Sequence, residues 1–189
     1  MRILYLRQCA EGKRVLIALG DREAEQRYSV SVSLYEELGH PTVGDELDGE
    51  AVRAIVLDDE KYRAMKKALS LLGYSDKNQK TLFLRLKSAG FSTEASSDAV
   101  RQCVALGYID EQRQLQRLIM KEASLLRGPR LIASKLAAKG YGASSVRSAM
   151  DKLCQNGELD FSSNLSRLYR RLDARSDEER RAVRYKYGF

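Results

Sequence analysis

The sequence predicts a mainly α protein of tandem three-helix, helix-turn-helix-like repeats, preceded by a small β-rich N-terminal module. Three observations predict it. Residues 1–34 alternate apolar and polar side chains, as half-buried strands do. From Tyr62 to Leu172 the apolar residues instead recur at spacings of three and four, in segments of roughly 11 to 16 residues, a usual helix length. The helical pattern also repeats at an offset of 50 residues without a gap. Leu82, Leu86, Gly90-Phe91, Val100, Cys103, Gly107, Ile109 and Asp110 fall on Ile132, Leu136, Gly140-Tyr141, Met150, Leu153, Gly157, Leu159 and Asp160.

The elements follow in order. Ile3, Tyr5 and Arg7 are expected on one face of a first strand. After a turn at Glu11-Gly12-Lys13, Val15, Ile17 and Leu19 share a face of the second, and Val30, Val32 and Leu34 mark a third. His40-Pro41-Thr42-Val43-Gly44-Asp45 is a turn cluster, and Leu47-Asp48-Gly49-Glu50 leads into a helix carrying Val52, Ile55 and Val56 on one side. Tyr62, Met65, Leu69 and Leu72 then define a helix, Leu82, Leu86 and Ala89 the next, and Val100, Cys103 and Val104 the third. Gly90-Phe91 and Gly107-Tyr108 fit helix C-caps, where glycine takes positive φ and the following apolar residue packs back. A third copy begins at residues 161–172 and restarts at Ser176-Asp177-Glu178-Glu179, a capping box. The chain ends at Gly188-Phe189, near the position of Gly140-Tyr141 in the copy before. The expected divisions are a β-rich module over 1–58 ending in the start of a helix, repeats over 59–109 and 110–159, and an incomplete repeat over 160–189.

Composition narrows the function. Charged residues make up 31% and hydrophobic ones 43% of the chain, the range of a folded soluble protein. The apolar start Met1–Leu6 is too short for a signal peptide, and no later run reaches membrane-spanning length, so a cytoplasmic protein is expected. Residues 1–60 hold seven Lys and Arg against thirteen Asp and Glu, a balance of −6, whereas residues 61–189 hold 26 against 13, a balance of +13. A positive field of that size attracts polyanions in a salt-dependent manner.

The tandem modules, with Gly107-Tyr108-Ile109-Asp110 and Gly128-Pro129-Arg130-Leu131-Ile132 followed by Leu136 and Lys139-Gly140, resemble the RecX family over about residues 60–189. The stretch Gly44-Asp45-Glu46-Leu47-Asp48 before the long helix resembles an N-terminal extension that some members carry. Where the family carries a Phe-Ala pair, this chain has Gln114-Leu115. The resemblance implies a monomeric regulator of the RecA recombinase that works in homologous recombination, DNA repair and the SOS response. Such a protein binds the RecA filament on single-stranded DNA along its groove and represses strand exchange, ATP hydrolysis and coprotease activity.

Helical phase sets the basic residues apart from the core. Leu115, Leu118, Ile119 and Leu126 gather on one side of their segment, with Arg113, Arg117 and Lys121 opposite. Phe161, Leu165, Leu168, Tyr169 and Leu172 form the next apolar stripe, with Arg167, Arg170 and Arg171 on the other face. Together with Arg127, Arg130, Lys139 and Arg147, these cations are the expected contacts to filament or nucleic acid. Arginine suits phosphate and carboxylate alike, and a solvated helix face is the bland reading of any single member. Tyr169, Tyr185, Tyr187 and Phe189, interleaved with basic residues, are open to base stacking or to core packing.

Other chemistry finds little support. There is no phosphate-binding Gly-Lys-Ser/Thr loop, no Gly-x-Gly-x-x-Gly turn and no Gly-x-Ser-x-Gly elbow, so neither an enzyme nor a cofactor is expected. The single histidine, His40, reads as a surface turn residue, and no metal site is expected. Cys9, Cys103 and Cys154 read as buried small hydrophobes. Asp58-Asp59-Glu60 and Asp177-Glu178-Glu179 read as helix N-terminal charge complementing the dipole. Ala133, Ala137 and Ala138 permit close approach of a neighbouring helix, Pro129 suits a first helical position, and Gly128 a sharp bend before it. A helix-turn-helix DNA-binding transcription regulator and a helical adaptor without nucleic-acid contact stay open as alternatives.

Overall fold

A computed structural model describes residues 1–9, 12–20 and 24–189. Glu11 of the expected turn lies outside them. Three strands, β1 (Arg2–Gln8), β2 (Arg14–Gly20) and β3 (Glu25–Ser31), form an antiparallel meander in the order β1-β2-β3. Nine helices follow among the described residues: α1 (Val32–Glu37), α2 (Gly49–Tyr74), α3 (Gln79–Ser88), α4 (Thr93–Ala105), α5 (Glu111–Ser124), α6 (Pro129–Ala138), α7 (Ala143–Gln155), α8 (Phe161–Leu172) and α9 (Asp177–Tyr187). The mainly α repeat architecture with a β-rich start is thus the observed fold. Contacts divide the chain into two compact units, residues 1–75 with 82–106, and residues 76–81 with 107–189.

In the first unit, Ile3, Val15, Ile17, Leu19 and Val30 of the sheet bury against Ile55 of α2, with Val52, Leu34 and Leu47 at the margin. β1 departs from simple alternation. Ile3 pairs with Leu19 but Tyr5 pairs with Ala18, so a bulge inserts Leu4 and reverses the facing of the residues after it. Leu6 therefore joins Ile3 inward and Tyr5 stands 43% exposed, correcting the expected Ile3-Tyr5-Arg7 face. The third strand also lies earlier than expected. Ser31 ends it by capping α1, its hydroxyl accepting from the Leu34 N–H at 3.4 Å, so Val32 and Leu34 belong to a helix.

Helix α2 runs unbroken through residues 58 and 59, where the sequence suggested a division. Its acidic triplet is therefore mid-helix, and the dipole explanation gives way to a hydrogen-bonding one. Asp58 accepts from the Ser31 N–H at 2.8 Å, the Ser31 hydroxyl at 2.9 Å and Arg14 at 2.6 Å. Asp59, itself buried, accepts from the Ser29 N–H at 2.9 Å and Arg63 at 2.7 Å. The outward N–H groups of β3 at Ser29 and Ser31 are thus satisfied by a helix instead of by another strand, which blunts a sheet edge. Arg14 also lies over the Tyr62 ring, 4.0 Å from its centroid. Glu60 accepts from the Ser92 N–H at 2.6 Å and the Ser92 hydroxyl at 2.7 Å, holding the residue that caps α4. Asp58→Ala strands three donors in a half-buried setting and is expected to cost about 2 kcal/mol, read as a lower urea midpoint with faster amide exchange at Ser31.

The 50-residue offset is visible in the elements. α3 and α6 match end to end, as do α4 and α7, while α5 and α8 start 50 residues apart behind N-caps Asp110 and Asp160. Gly90, Gly107, Gly140 and Gly157 all take positive φ at the expected helix ends. After Gly107 the inward residue is Ile109, since Tyr108 stays exposed. Within the second unit, Leu115, Ile119, Ile132, Leu136, Val146, Met150, Leu153 and Leu159 form one core, joined by Tyr141 and Phe161.

Several side chains fall elsewhere than expected. Cys103 is buried but Cys9 and Cys154 are exposed; at the site corresponding to Cys103, Leu153 fills the core and leaves Cys154 one residue off the stripe. Val56, Val104 and Leu172 are exposed at the edges of their stripes, and Ala89 lies beyond the end of α3. Ala133 packs on the core, whereas Ala137 and Ala138 face solvent. His40 is exposed in its turn, edge-on to Tyr35.

The α9 capping box forms as the sequence predicts, with Glu179 accepting from the Ser176 N–H at 2.9 Å and Ser176 accepting from the Glu179 N–H at 3.2 Å. Pro129 occupies the first turn of α6. Gly128 has an ordinary φ of −80°, so its reason is contact and not a sharp bend. Its N–H donates to the Tyr187 carbonyl at 2.7 Å, and the Arg130 N–H to the Gly188 carbonyl at 3.0 Å. A Cβ at Gly128 would stand 2.5 Å from the Gly188 carbonyl carbon.

Candidate nucleic-acid interface

α5 presents its inner side through Gln114, Leu115, Ile119, Glu122 and Ala123. Residues three and four apart share a face, so Arg113, Arg117 and Lys121 emerge together and exposed. On α8, Leu168 is buried between half-buried Leu165 and Tyr169, and Arg167, Arg170 and Arg171 face solvent. Arg130, Lys139 and Arg147 are exposed as well. Arg127 differs, being half-buried and paired with Glu122. Of the ten expected contacts, only Arg117 and Arg127 hold an ion pair among the described residues. Arg117 meets Asp76 at 2.7 Å in an exposed and therefore weak pairing.

Arg117, Lys121 and Lys139 converge on one groove of roughly 620 Å³, whose lining includes Asp76, Asn78, Gln114, Leu118 and Tyr141. Lys77 also lines it and was missed from sequence, because nothing in the spacing ties the start of α3 to α5. Arg147 lies apart from this groove, on an α7 face it shares with Ser144, Ser148, Asp151 and Lys152. Among the C-terminal aromatics, Tyr185 is 90% exposed. Tyr169 accepts from Arg184 at 2.8 Å and lies under Arg180, and Phe189 meets Phe161 edge-on.

Burial raises the Tyr141 hydroxyl above its ordinary value, Glu111 and Asp76 adding to the effect and Arg117 opposing it. Burial also works to raise the Glu122 carboxyl, but Arg127 and then Lys135, at 3.4 Å, outweigh it and hold the group below the usual range. A carboxyl depressed in the folded state stabilises fully above its unfolded value, about 4.3, and less as pH falls through the folded value. The stability gap between the native chain and Glu122→Gln is expected to be widest near neutral pH and to narrow below about pH 4, in urea titrations at each pH.

Among the described residues no three His, Cys, Asp or Glu side chains cluster as metal ligands do. No described helix is long and apolar enough to cross a membrane.

Fold and site define a tandem three-helix repeat protein with a β-rich N-terminal module and exposed basic faces. No protein-family model matches the chain. Its relatives include regulatory protein RecX of Lactobacillus johnsonii, 28% identical over 108 residues, covering 57% of this chain and 40% of the relative. Regulatory protein RecX of Stenotrophomonas maltophilia is 28% identical over 107 residues, covering 57% and 63%. The match thus spans less than two thirds of either relative. A crystal structure of a regulatory protein RecX aligns with 99% of this chain and 92% of its own, at TM-score 0.66 and 20% identity. That of RecX from Lactobacillus salivarius aligns with 68% of this chain and 86% of its own, at TM-score 0.55 and 16% identity. The resemblance to the RecX family, first carried by the repeat residues, therefore holds in relatives and in fold.

Proposed function

We propose that this chain is a RecX-type regulator that binds the RecA filament on single-stranded DNA and inhibits recombinase, ATPase and coprotease activity, without catalysing a reaction itself. The observation that carries the reading is the set of exposed cations on α5 and α8, held away from the core by helical phase and, apart from Arg117, without an ion-pair partner among the described residues. Cations left unpaired on rigid helices keep their field for a partner, and a nucleoprotein filament is a partner of opposite charge and regular spacing. The fold likeness over nearly the whole chain supports the same reading.

The test is binding to RecA filaments assembled with a non-hydrolysable ATP analogue on immobilised single-stranded DNA. Binding well above that to the same DNA alone, indifferent to base sequence, is expected. Equal binding with and without recombinase would count against the reading. Protection of one preferred duplex sequence would instead indicate a transcription regulator.

A further inference from the structure

We propose that the groove formed by the start of α3, by α5 and by the end of α6 seats the backbone of single-stranded nucleic acid, with Lys121 and Lys139 on phosphate oxygens and Gln114 donating from the floor. This deepens the reading above and rests on it.

Gln114 carries the argument. It is 5% exposed, yet it lines the groove, and its Oε1 accepts from the Tyr141 hydroxyl at 3.2 Å. Its Nε2 has no hydrogen-bond partner among the described residues. Only Ser96 Oγ is both sealed from solvent and unpartnered there, so the Gln114 amide opens onto the groove. A mostly buried amide donor that has no protein acceptor among the described residues and keeps only an edge open to solvent is placed to donate to a ligand acceptor seated there. Asn78, the other buried amide in the lining, is spent on structure: it accepts from the Thr81 N–H at 2.8 Å and donates to the Lys139 carbonyl at 2.8 Å.

The charges point the same way. Both nearby carboxylates are engaged, Asp76 by Arg117 and Glu111 by the Gln79 N–H at 2.7 Å. Lys121 and Lys139 have no ion-pair partner among the described residues, and exposed Arg117 can exchange its carboxylate for phosphate. The groove therefore offers donors with few acceptors left over, which selects an acceptor-rich ligand. Leu118 and half-buried Tyr141 add an apolar wall suited to sugar or base, a feature that favours nucleic acid over an acidic peptide.

The corresponding place 50 residues on is closed. Asn164, in the position of Gln114, donates to the Ala123 carbonyl at 3.3 Å. Arg127, in the position of Lys77, is held by Glu122, and Gly128, in the position of Asn78, is covered by Gly188. The seat is accordingly a property of one groove, although Arg167 and Arg171 recur at the positions of Arg117 and Lys121.

The experiment uses the full chain, no recombinase, and a fluorescein-labelled oligo(dT) of about 20 nucleotides, read by anisotropy across a salt series. The variant Lys121→Glu with Lys139→Glu is expected to weaken binding at least tenfold and to reduce the logarithmic salt slope by about 1.4. Lys152→Glu with Arg181→Glu, an equal change of charge at exposed residues of α7 and α9 outside the groove lining, should alter affinity less than threefold. Tyr141→Phe, which removes the hydrogen bond but keeps the Gln114 amide, should bind; Gln114→Leu should not bind as well. Equal losses in the two charge variants, or groove-dependent binding of an oligo-glutamate peptide with none of oligo(dT), would overturn the proposal. Because no recombinase is present, a chain that binds oligo(dT) here but ignores RecA filaments would contradict the regulatory reading and leave this one standing.

Discussion

Alanine at Gly128 is expected to destabilise the second unit by about 3 kcal/mol and to release α9. The new Cβ would stand 2.5 Å from backbone atoms of Gly188, and backbone cannot swing aside as a side-chain tip can. Relief requires separating the end of α9 from the start of α6, which breaks the Gly128–Tyr187 and Arg130–Gly188 hydrogen bonds and exposes the Phe161–Phe189 contact. Gly188→Ala should be at least as damaging, since its φ is +79° and its Cβ would meet the Leu131 nitrogen at 2.5 Å. Gly107→Ala is the control: φ is +76° with open space around it, so only the left-handed strain applies, about 1 kcal/mol. Urea titration with amide exchange on α9 distinguishes them. A Gly128→Ala variant no weaker than Gly107→Ala, with α9 still protected, would mean the close approach does not exist in solution.

Reversing the exposed cations is expected to have the largest functional effect. Glutamate at Arg113, Arg117, Lys121, Arg167, Arg170 and Arg171 should lower affinity for the filament at least a hundredfold at about 0.1 M salt, where charges within about 10 Å still interact. If phosphates are the partner, the salt slope should fall by about 0.7 to 0.9 for each phosphate no longer engaged. All six side chains are exposed, so each change should cost little stability, within about 0.5 kcal/mol. Arg127→Ala should behave in the opposite way, lowering stability through the buried Glu122 carboxylate while a folded sample binds normally. An unchanged salt slope in the six-residue variant would remove the electrostatic basis of the reading.

How far the sequence carries the structure depends on the range of the interaction. Apolar spacing and the positive-φ glycines are local, so helices such as α4 and α7 and their 50-residue offset were legible. The exposure of Arg113, Arg117 and Lys121 was legible too, because it needs only helical phase and a known inner face. The Leu4 bulge was not, since one extra residue in a strand leaves alternation intact on either side of it. Nor was the role of Asp58 and Asp59, whose donors come from β3, 27 and 30 residues earlier. The groove shows the same limit: Lys121 could be assigned to a basic face, but its convergence with Lys139 and Gln114 joins separate helices. Gln114 itself was noticed only as a departure from a family pattern, and its burial gives that departure a physical meaning.

The most direct test of the regulatory reading is the single-stranded-DNA-dependent ATPase rate of a bacterial RecA recombinase, at physiological salt, with this chain added well below the recombinase concentration. The account predicts strong inhibition by the native chain and its loss in the six-residue charge-reversal variant. An unchanged rate even at equimolar chain, with folding verified by circular dichroism, would contradict it.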